Sequence, residues 1–167
     1  MSAPAEPVFV RPLAAADREW ATHFVRDVVG AERMAVNGRL FELLELPALV
    51  AVARGEPVAL LTYEVRNEEF EVVSLHSSRV GVGAGTALIE AARREAGSLG
   101  CRRLVVVTTN DNTSALRFYQ RRGFRISEVR PGEVDRSRRG LKPEIPEFGE
   151  DGIPIRDEIE LEVRLNG

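Results

Sequence analysis

The sequence predicts an α/β fold of the α+β kind, built on a mixed, mostly antiparallel, twisted sheet of about seven strands with helices on both faces. Apolar runs rich in β-branched residues come early in the chain and are joined by short polar turns, which is typical of antiparallel hairpins. Helical patterns alternate with strands in the second half, and a β-α-β connection brings its two strands together in parallel. The two halves together therefore predict a mixed sheet.

Length and composition limit the class of protein. The 167 residues, 44% hydrophobic and 29% charged, are typical of a globular protein and predict one domain over residues 1–167. The net charge of −3, with acidic and basic residues interleaved, argues against a nucleic-acid partner. No apolar run could span a bilayer and residues 1–7 lack a secretion signal, so we expect a cytoplasmic protein with no membrane partner. Cys101 is the single cysteine and lacks metal-ligand spacing, so no metal is predicted.

The first half of the chain predicts a strand, a helix and three further strands. A short strand covers residues 8–11, and Asp17 can cap a helix that runs to about residue 29. Residues 30–46 are ambiguous and are expected to be helical in part. Three β-like runs follow, of which the first two form a hairpin, over residues 49–53, 58–65 and 70–76.

The second half predicts helices and strands in alternation. We expect a helix over about residues 85–99, a Val-rich buried strand over 104–109, a helix from Asp111 or Asn112 to Gly123, and strands over 124–129 and 156–165. A long loop over residues 130–155 separates the last two strands, and a loop of that length in a compact domain is usually functional. An open sheet edge at the C-terminal strand would allow a homodimer.

Two glycines open the first of these helices directly after a strand, in the segment Val82-Gly83-Ala84-Gly85-Thr86-Ala87-Leu88. Unpaired N–H groups and the positive end of the helix dipole coincide at such a point, which makes it an anion site. A dinucleotide fingerprint would need a third glycine where Thr86 or Leu88 stands, and a P-loop would need Gly-Lys-Ser/Thr, although Lys142 is the only lysine. The spacing therefore excludes both well-known phosphate loops.

A second motif lies about thirty residues further on and consists of Asn112, Ala115, Phe118, Tyr119, Gly123 and Phe124. A strand, a G-x-G turn, a helix, a Val-rich strand and then this motif resemble the GCN5-related N-acetyltransferase (GNAT) family. The resemblance covers essentially the whole chain, and its specific part runs from Leu75 to Phe124. The family turn usually has Gln or Arg three residues before the first glycine, where this chain has Val80, with Arg79 one place earlier.

The resemblance implies acetyl-CoA as cosubstrate, wedged where the fourth and fifth strands splay apart, with a cofactor-binding core over about residues 70–124. The pyrophosphate would bind Val82, Gly83, Ala84, Gly85, Thr86 and Ala87. The pantetheine would lie along Leu75, His76 and Ser77, and a main-chain N–H near Leu75 or His76 would polarise the thioester carbonyl. On the helix that begins at Asp111 or Asn112, Asn112 would bind pantetheine or only cap the helix. The cofactor-facing positions of this helix would be Ala115, Phe118 and Tyr119.

Tyr119 is the predicted general acid, since the family often has a tyrosine here near the thioester sulfur. A phenol titrates near ~10 and a thiol near ~8.5, so a protonated tyrosine can hydrogen-bond the developing thiolate and give it a proton. The alternative is that Phe118 and Tyr119 are only the apolar face of the helix. Three candidates remain for the general base: Glu71, His76 and solvent. Glu71 can also be an ordinary strand carboxylate, and His76 can also be a polar residue at the end of a strand.

These residues predict an acetyl-CoA-dependent N-acetyltransferase that acts on a primary amine of a small molecule. Two alternatives stay open: a protein or peptide N-acetyltransferase, and a non-catalytic acyl-CoA-binding module. The loop over residues 130–155 should border the acceptor, and its many carboxylates would favour a cationic amine. An open groove at this loop would suit a peptide, whereas a capped pocket would suit a metabolite.

Overall fold

The computed structural model describes residues 7–166. Residues 1–6, which belong to the segment expected to lack a secretion signal, lie outside the described part. Seven strands form the main sheet: β1 (Val8–Pro12), β4 (Ala48–Ala53), β5 (Glu56–Arg66), β6 (Glu69–Ser77), β7 (Arg103–Thr109), β8 (Arg125–Arg130) and β9 (Glu158–Arg164). Their spatial order is β1-β4-β5-β6-β7-β9-β8, with β6 and β7 parallel and every other pair antiparallel. The predicted mixed, mostly antiparallel sheet is confirmed.

Helices and a separate hairpin cover the two faces of this sheet. The helices are α1 (Arg18–Phe24), continued by a π turn (Val25–Val29), α2 (Ala84–Ser98), α3 (Thr113–Gln120) and α4 (Glu133–Gly140), and the hairpin consists of β2 (Arg33–Val36) and β3 (Arg39–Glu42). Helices α2 and α3 pack on one face, where Leu88, Ile89 and Ala92 meet Phe70 and Leu104. Helix α1 and the hairpin pack on the other face, around Phe24, Phe41, Val50, Leu60 and Val73. Within residues 7–166, no helix combines the length and apolarity needed to cross a membrane.

The expectation of partial helix over residues 30–46 holds only for one 3₁₀ turn, Leu43–Glu45, and a hairpin precedes that turn. Strands β2 and β3 pair antiparallel there across Asn37 and Gly38, both at positive φ (49° and 74°). Asn-Gly is the favoured dipeptide of a two-residue hairpin turn, because both residues tolerate the left-handed conformation that the turn requires. Each strand has only four residues, the shortest length over which a strand periodicity can be recognised.

Two further differences concern the C-terminal part. The segment over residues 130–155, expected as a loop, contains α4, which follows Gly132 in the left-handed conformation at φ 73°. The C-terminal strand β9 is not a sheet edge, because it lies between β7 and β8, and the edges are β1 and β8. A homodimer through an edge would therefore involve one of those two strands.

Strands β6 and β7 separate after a short paired stretch. Their parallel pairing joins only Glu69–Val72 to Arg103–Val106, although β6 continues to Ser77 and β7 to Thr109. The pairing of β6 with β5 shifts register at the same level, since Val72 faces Tyr63 and Ser74 faces Thr62, which leaves Val73 as a bulge. A bulge bends its strand, and here the bend coincides with the start of the splay. These are the fourth and fifth strands of the sheet order, as predicted.

Candidate active site

The splay between β6 and β7 contains a cavity of about 210 Å³, which we call the splay cavity. Helix α3 borders it on one side of the sheet, and Met34 of the hairpin borders it on the other. Its lining residues are Met34, Val72, Val73, Ser74, Leu75, His76, Val106, Val107, Thr108, Thr109, Asn112, Ala115 and Tyr119. The cavity therefore brings together most residues that the sequence assigned to pantetheine and to catalysis.

The main chain of β6 offers free groups to this cavity. Leu60 faces His76, and two residue pairs further along the ladder the Ser78 N–H donates to the Val58 carbonyl at 2.9 Å. Alternate residues of an antiparallel strand direct their main-chain groups to opposite sides. His76 therefore directs its N–H at β5, whereas Leu75 and Ser77 direct theirs into the splay. Of the two amides considered for polarising a carbonyl, only that of Leu75 faces the opening.

Tyr119 lies at the cavity wall with a side chain that is only 6% exposed. Its ring meets Phe118 and Phe124 edge-on, with centroid distances of 5.1 and 5.3 Å. Burial raises the pKa of the Tyr119 hydroxyl, and Arg122 offsets this only in part. The side chain is thus fixed by packing and protonated at neutral pH.

The two residues considered as base lie in different surroundings. His76 lines the splay cavity, its Nδ1 is buried without a hydrogen-bond partner among the described residues, and burial lowers its pKa. Glu71 lies within the paired part of the strands, opposite Glu64, and does not line the cavity. Burial raises the pKa of Glu71, while Arg39 lowers it in part. Geometry therefore places His76, and not Glu71, in the same cavity as Tyr119.

The glycine turn, residues 82–87, opens α2 with free main-chain donors. Gly83 is the N-cap residue at φ 78° and has no side-chain cap, and the first helical bond runs from the Ala87 N–H to the Gly83 carbonyl at 3.0 Å. The N–H groups of Ala84, Gly85 and Thr86 thus precede the first helical donor. A Cβ on Gly85 would lie 3.1 Å from the Phe118 ring, so α2 approaches α3 closely at this point.

Three arginines of α3 and its C-terminal turn flank the glycine turn, and sequence reasoning missed them. Arg122 donates through Nε and Nη2 to Thr86 Oγ1 at 3.0 and 2.6 Å, and its guanidinium lies 3.6 Å from the Phe118 ring centroid. A cavity of about 510 Å³ next to it is lined by Thr86, Ser114, Arg117, Phe118, Arg121 and Arg122. Three arginines beside the Phe-Tyr motif were the available sequence signal. These arginines bring positive charge to the N-terminus of α2. The family pattern has its basic residue just before this point, where this chain has Val80.

Asn112 has the capping role, one of the two that were considered for it. Its Oδ1 accepts from the Ala115 N–H at 3.1 Å and so caps α3. The same residue lines the splay cavity, as does Ala115. Capping therefore uses the side-chain oxygen and leaves the amide nitrogen for a ligand.

A second cavity of about 200 Å³, the α4 cavity, adjoins the splay cavity and shares Met34 and Thr109 with it. Helix α4 and the segment that follows it form the outer wall of this cavity. Its lining residues are Met34, Ala35, Thr109, Val134, Ser137, Lys142, Ile145, Ile155 and Glu158. Residues 130–155 thus form a cap over a small chamber.

Comparisons with known proteins agree with this geometry. The sequence model of the family described as Acetyltransferase (GNAT) family matches residues 15–124. The chain therefore belongs to the GNAT family, and the prediction of an acyltransferase is confirmed. It is also 40% identical over 148 residues to the uncharacterized protein YdhI of Bacillus subtilis strain 168, covering 86% of this chain and 92% of that relative.

Solved structures share the fold at lower identity. An IAA acetyltransferase from Bacillus cereus ATCC 14579 superposes with a TM-score of 0.74 at 22% identity, covering 95% of this chain and all of that one. A Bacillus subtilis acetyltransferase solved in complex with CoA superposes with a TM-score of 0.68 at 17% identity, covering 96% and 100% of the two chains. At identities of 22% and 17%, these similarities show a shared fold.

Proposed function

We propose that this protein is an acetyl-CoA-dependent N-acetyltransferase that transfers acetyl directly to the primary amine of a small molecule. The observation that carries the proposal is the splay cavity, where free main-chain groups of β6 lie across from the buried hydroxyl-bearing side chain of Tyr119. In this proposal residues 70–124 hold the cosubstrate and residues 130–155 form the acceptor side.

Acetyl-CoA is assigned to the splay by the chemistry of its parts. Its pyrophosphate suits the free N–H groups of Ala84, Gly85 and Thr86, with Arg122 beside them. Its pantetheine arm carries amides that suit the free main-chain groups of Leu75 and Ser77, in the manner of an added strand. Family membership and the CoA complex of the Bacillus subtilis acetyltransferase support this assignment.

The transfer step uses two proton movements. The neutral acceptor amine forms an N–C bond to the thioester carbon, polarised by the Leu75 N–H, and the C–S bond breaks. Tyr119 gives its hydroxyl proton to the departing thiolate, and the nitrogen gives one proton to the neutral imidazole of His76. Water then returns that proton to Tyr119, so the step balances and releases CoA as the thiol.

The shape of the acceptor side supports a small molecule. Helix α4 and the residues after it cap the α4 cavity, with Val134 and Ser137 buried beneath. A peptide would need a long groove, whereas a cavity of about 200 Å³ suits a small ligand. We therefore prefer a metabolite acceptor over a protein N-terminus or lysine.

The test is thiol release from acetyl-CoA by the purified protein with a panel of amines, amino acids and short peptides. We expect release that depends on both enzyme and acceptor and is strongest for a small amine. Peptides alone as acceptors would contradict the small-molecule assignment. Acetyl-CoA binding without thiol release from any acceptor would favour the non-catalytic alternative.

A further inference from the structure

The α4 cavity has a carboxylate at the end nearest the splay. Glu158 is 2% exposed, and its strand position faces Thr109, which lines both cavities. The Asn37 N–H lies 3.0 Å from its Oε1 and 3.1 Å from its Oε2, and Arg130 Nε donates to Oε2 at 3.1 Å. A carboxylate has about four acceptor sites, so Glu158 retains acceptor capacity on Oε1 for a ligand.

Lys142 supplies the opposite charge in the same chamber. It is half-buried, and its Nζ donates to the Arg33 carbonyl at 2.8 Å, which leaves two of the three ammonium donors for other partners. Burial lowers the pKa of Lys142 and Glu144 opposes this in part, while Glu144 forms an ion pair with Arg33 at 3.2 Å. Lys142 can therefore receive an anionic group of a bound molecule.

Ser137 is an independent sign that the chamber is built for a polar ligand. Its side chain is 3% exposed, and its Oγ has no hydrogen-bond partner among residues 7–166. An unpaired buried hydroxyl destabilises a fold, so such a group normally finds a partner when the site is filled. The remaining wall is apolar and comes from Met34, Ala35, Val134, Ile145 and Ile155.

We propose that the α4 cavity selects a small zwitterionic amine, such as a short amino acid, with its ammonium at Glu158 and its anionic group at Lys142 and Ser137. This inference rests on the acetyltransferase function proposed above. The bound ammonium loses one proton to water before the neutral amine enters the transfer step. Since liquid water takes about 30 Å³ per molecule, the chamber holds a ligand of fewer than about ten non-hydrogen atoms.

Charge and size together exclude other amines from this chamber. A diamine would place a second ammonium next to Lys142, and a peptide would extend beyond the cap. A neutral amine of the same length would leave Lys142 and Ser137 without a ligand partner. The zwitterion is thus the class that satisfies all three polar side chains at once.

Calorimetric titration of the CoA-bound protein tests the proposal without requiring turnover. The ligands are glycine, β-alanine and 4-aminobutyrate, each paired with the amine that has a methyl group in place of the carboxylate, and 1,4-diaminobutane. For the pair of best length we expect the amino acid to bind at least about tenfold tighter, the size expected for hydrogen bonds to charged groups, and the diamine to bind weakest. Equal binding within every pair, or tighter binding of the diamine, would overturn the proposal.

Three variants test which side chains cause the difference in affinity between the amino acid and its methyl analogue. Lys142→Gln keeps a hydrogen-bond donor but removes the charge, so it should abolish the carboxylate preference and leave the neutral amine unchanged. Glu158→Gln should weaken both ligands of the pair, and Arg139→Met, which removes an exposed charge of α4, should change neither. A preference that persists in Lys142→Gln would contradict the assignment. Selective binding without thiol release would overturn the acetyltransferase function alone, and thiol release without selectivity would overturn this inference alone.

Discussion

The hydroxyl of Tyr119 has to stay protonated until a thiolate forms beside it. Burial raises its pKa above the ordinary phenol value, and edge-on contacts with Phe118 and Phe124 fix the ring. Both properties suit a proton donor with a fixed direction. A purely structural residue at this position would need neither the hydroxyl nor the neighbouring cavity.

Tyr119→Phe tests that role because it removes the hydroxyl and keeps the ring. We expect kcat to fall about hundredfold, within the range for loss of a general acid, with the acetyl-CoA Kd unchanged. Tyr63→Phe is the matched control, since Tyr63 is the other tyrosine and stacks on Phe70 in the core. Equal kcat values for wild type and Tyr119→Phe would remove Tyr119 from the mechanism.

His76 gives a prediction for pH dependence. Burial lowers its pKa below the ordinary value of about 6.5, so the imidazole is neutral and able to accept a proton down to a lower pH than usual. At saturating acceptor, kcat should therefore show a fall below about pH 6.5 that belongs to His76, separate from the dependence at higher pH that deprotonation of the bound ammonium causes. His76→Asn should lose this limb, and Glu71→Gln should keep it. Identical pH profiles for wild type and His76→Asn would show that solvent is the only base.

At the scale of elements, the start of α2 determines where anions can bind. Gly83 adopts a left-handed conformation as the N-cap residue, so three amides point away from the helix with no side chain in front of them. Arg122 reaches this turn from the α3 side through Thr86. The site thus depends on two elements that are far apart in sequence.

Gly83→Val should raise the acetyl-CoA Kd by at least about tenfold, as expected when charge-assisted hydrogen bonds are lost. Gly30→Val is the matched control, because Gly30 also has positive φ (81°) and open space around it, away from the turn. Both variants should lose about 1–2 kcal/mol of stability from the left-handed backbone, which thermal unfolding measures. Unchanged calorimetric affinity in Gly83→Val would refute the glycine turn as the pyrophosphate site.

Some helices and strands could be predicted from the sequence, whereas others, and several residues of the site, could not. Long periodic elements such as α2 and the Val-rich β7 were predictable, because their patterns depend only on nearby residues. The hairpin of β2 and β3 was missed, although Asn37-Gly38 was a usable turn signal. The places of Arg122, Glu158 and Lys142 depend on contacts between distant elements, which no local pattern records.

In the whole molecule, the splay between β6 and β7 lies between two faces of the sheet that are covered by different elements. Helices α2 and α3, with the glycine turn, lie on one face, and the hairpin lies on the other. Met34 and Thr109 line both the splay cavity and the α4 cavity, so the two chambers are neighbours. The arrangement suits an acetyl donor from one side and an amine acceptor from the other.

Residue-resolved amide hydrogen exchange with and without CoA tests this account most directly. The N–H groups of Leu75 and Ser77 face the splay, whereas that of His76 is directed at β5. We predict that saturating CoA slows exchange at Leu75 and Ser77 and in the glycine turn, and leaves the edge strand β8 unchanged. Unchanged exchange at Leu75 and Ser77, with calorimetry confirming that CoA is bound, would contradict a cosubstrate site between β6 and β7.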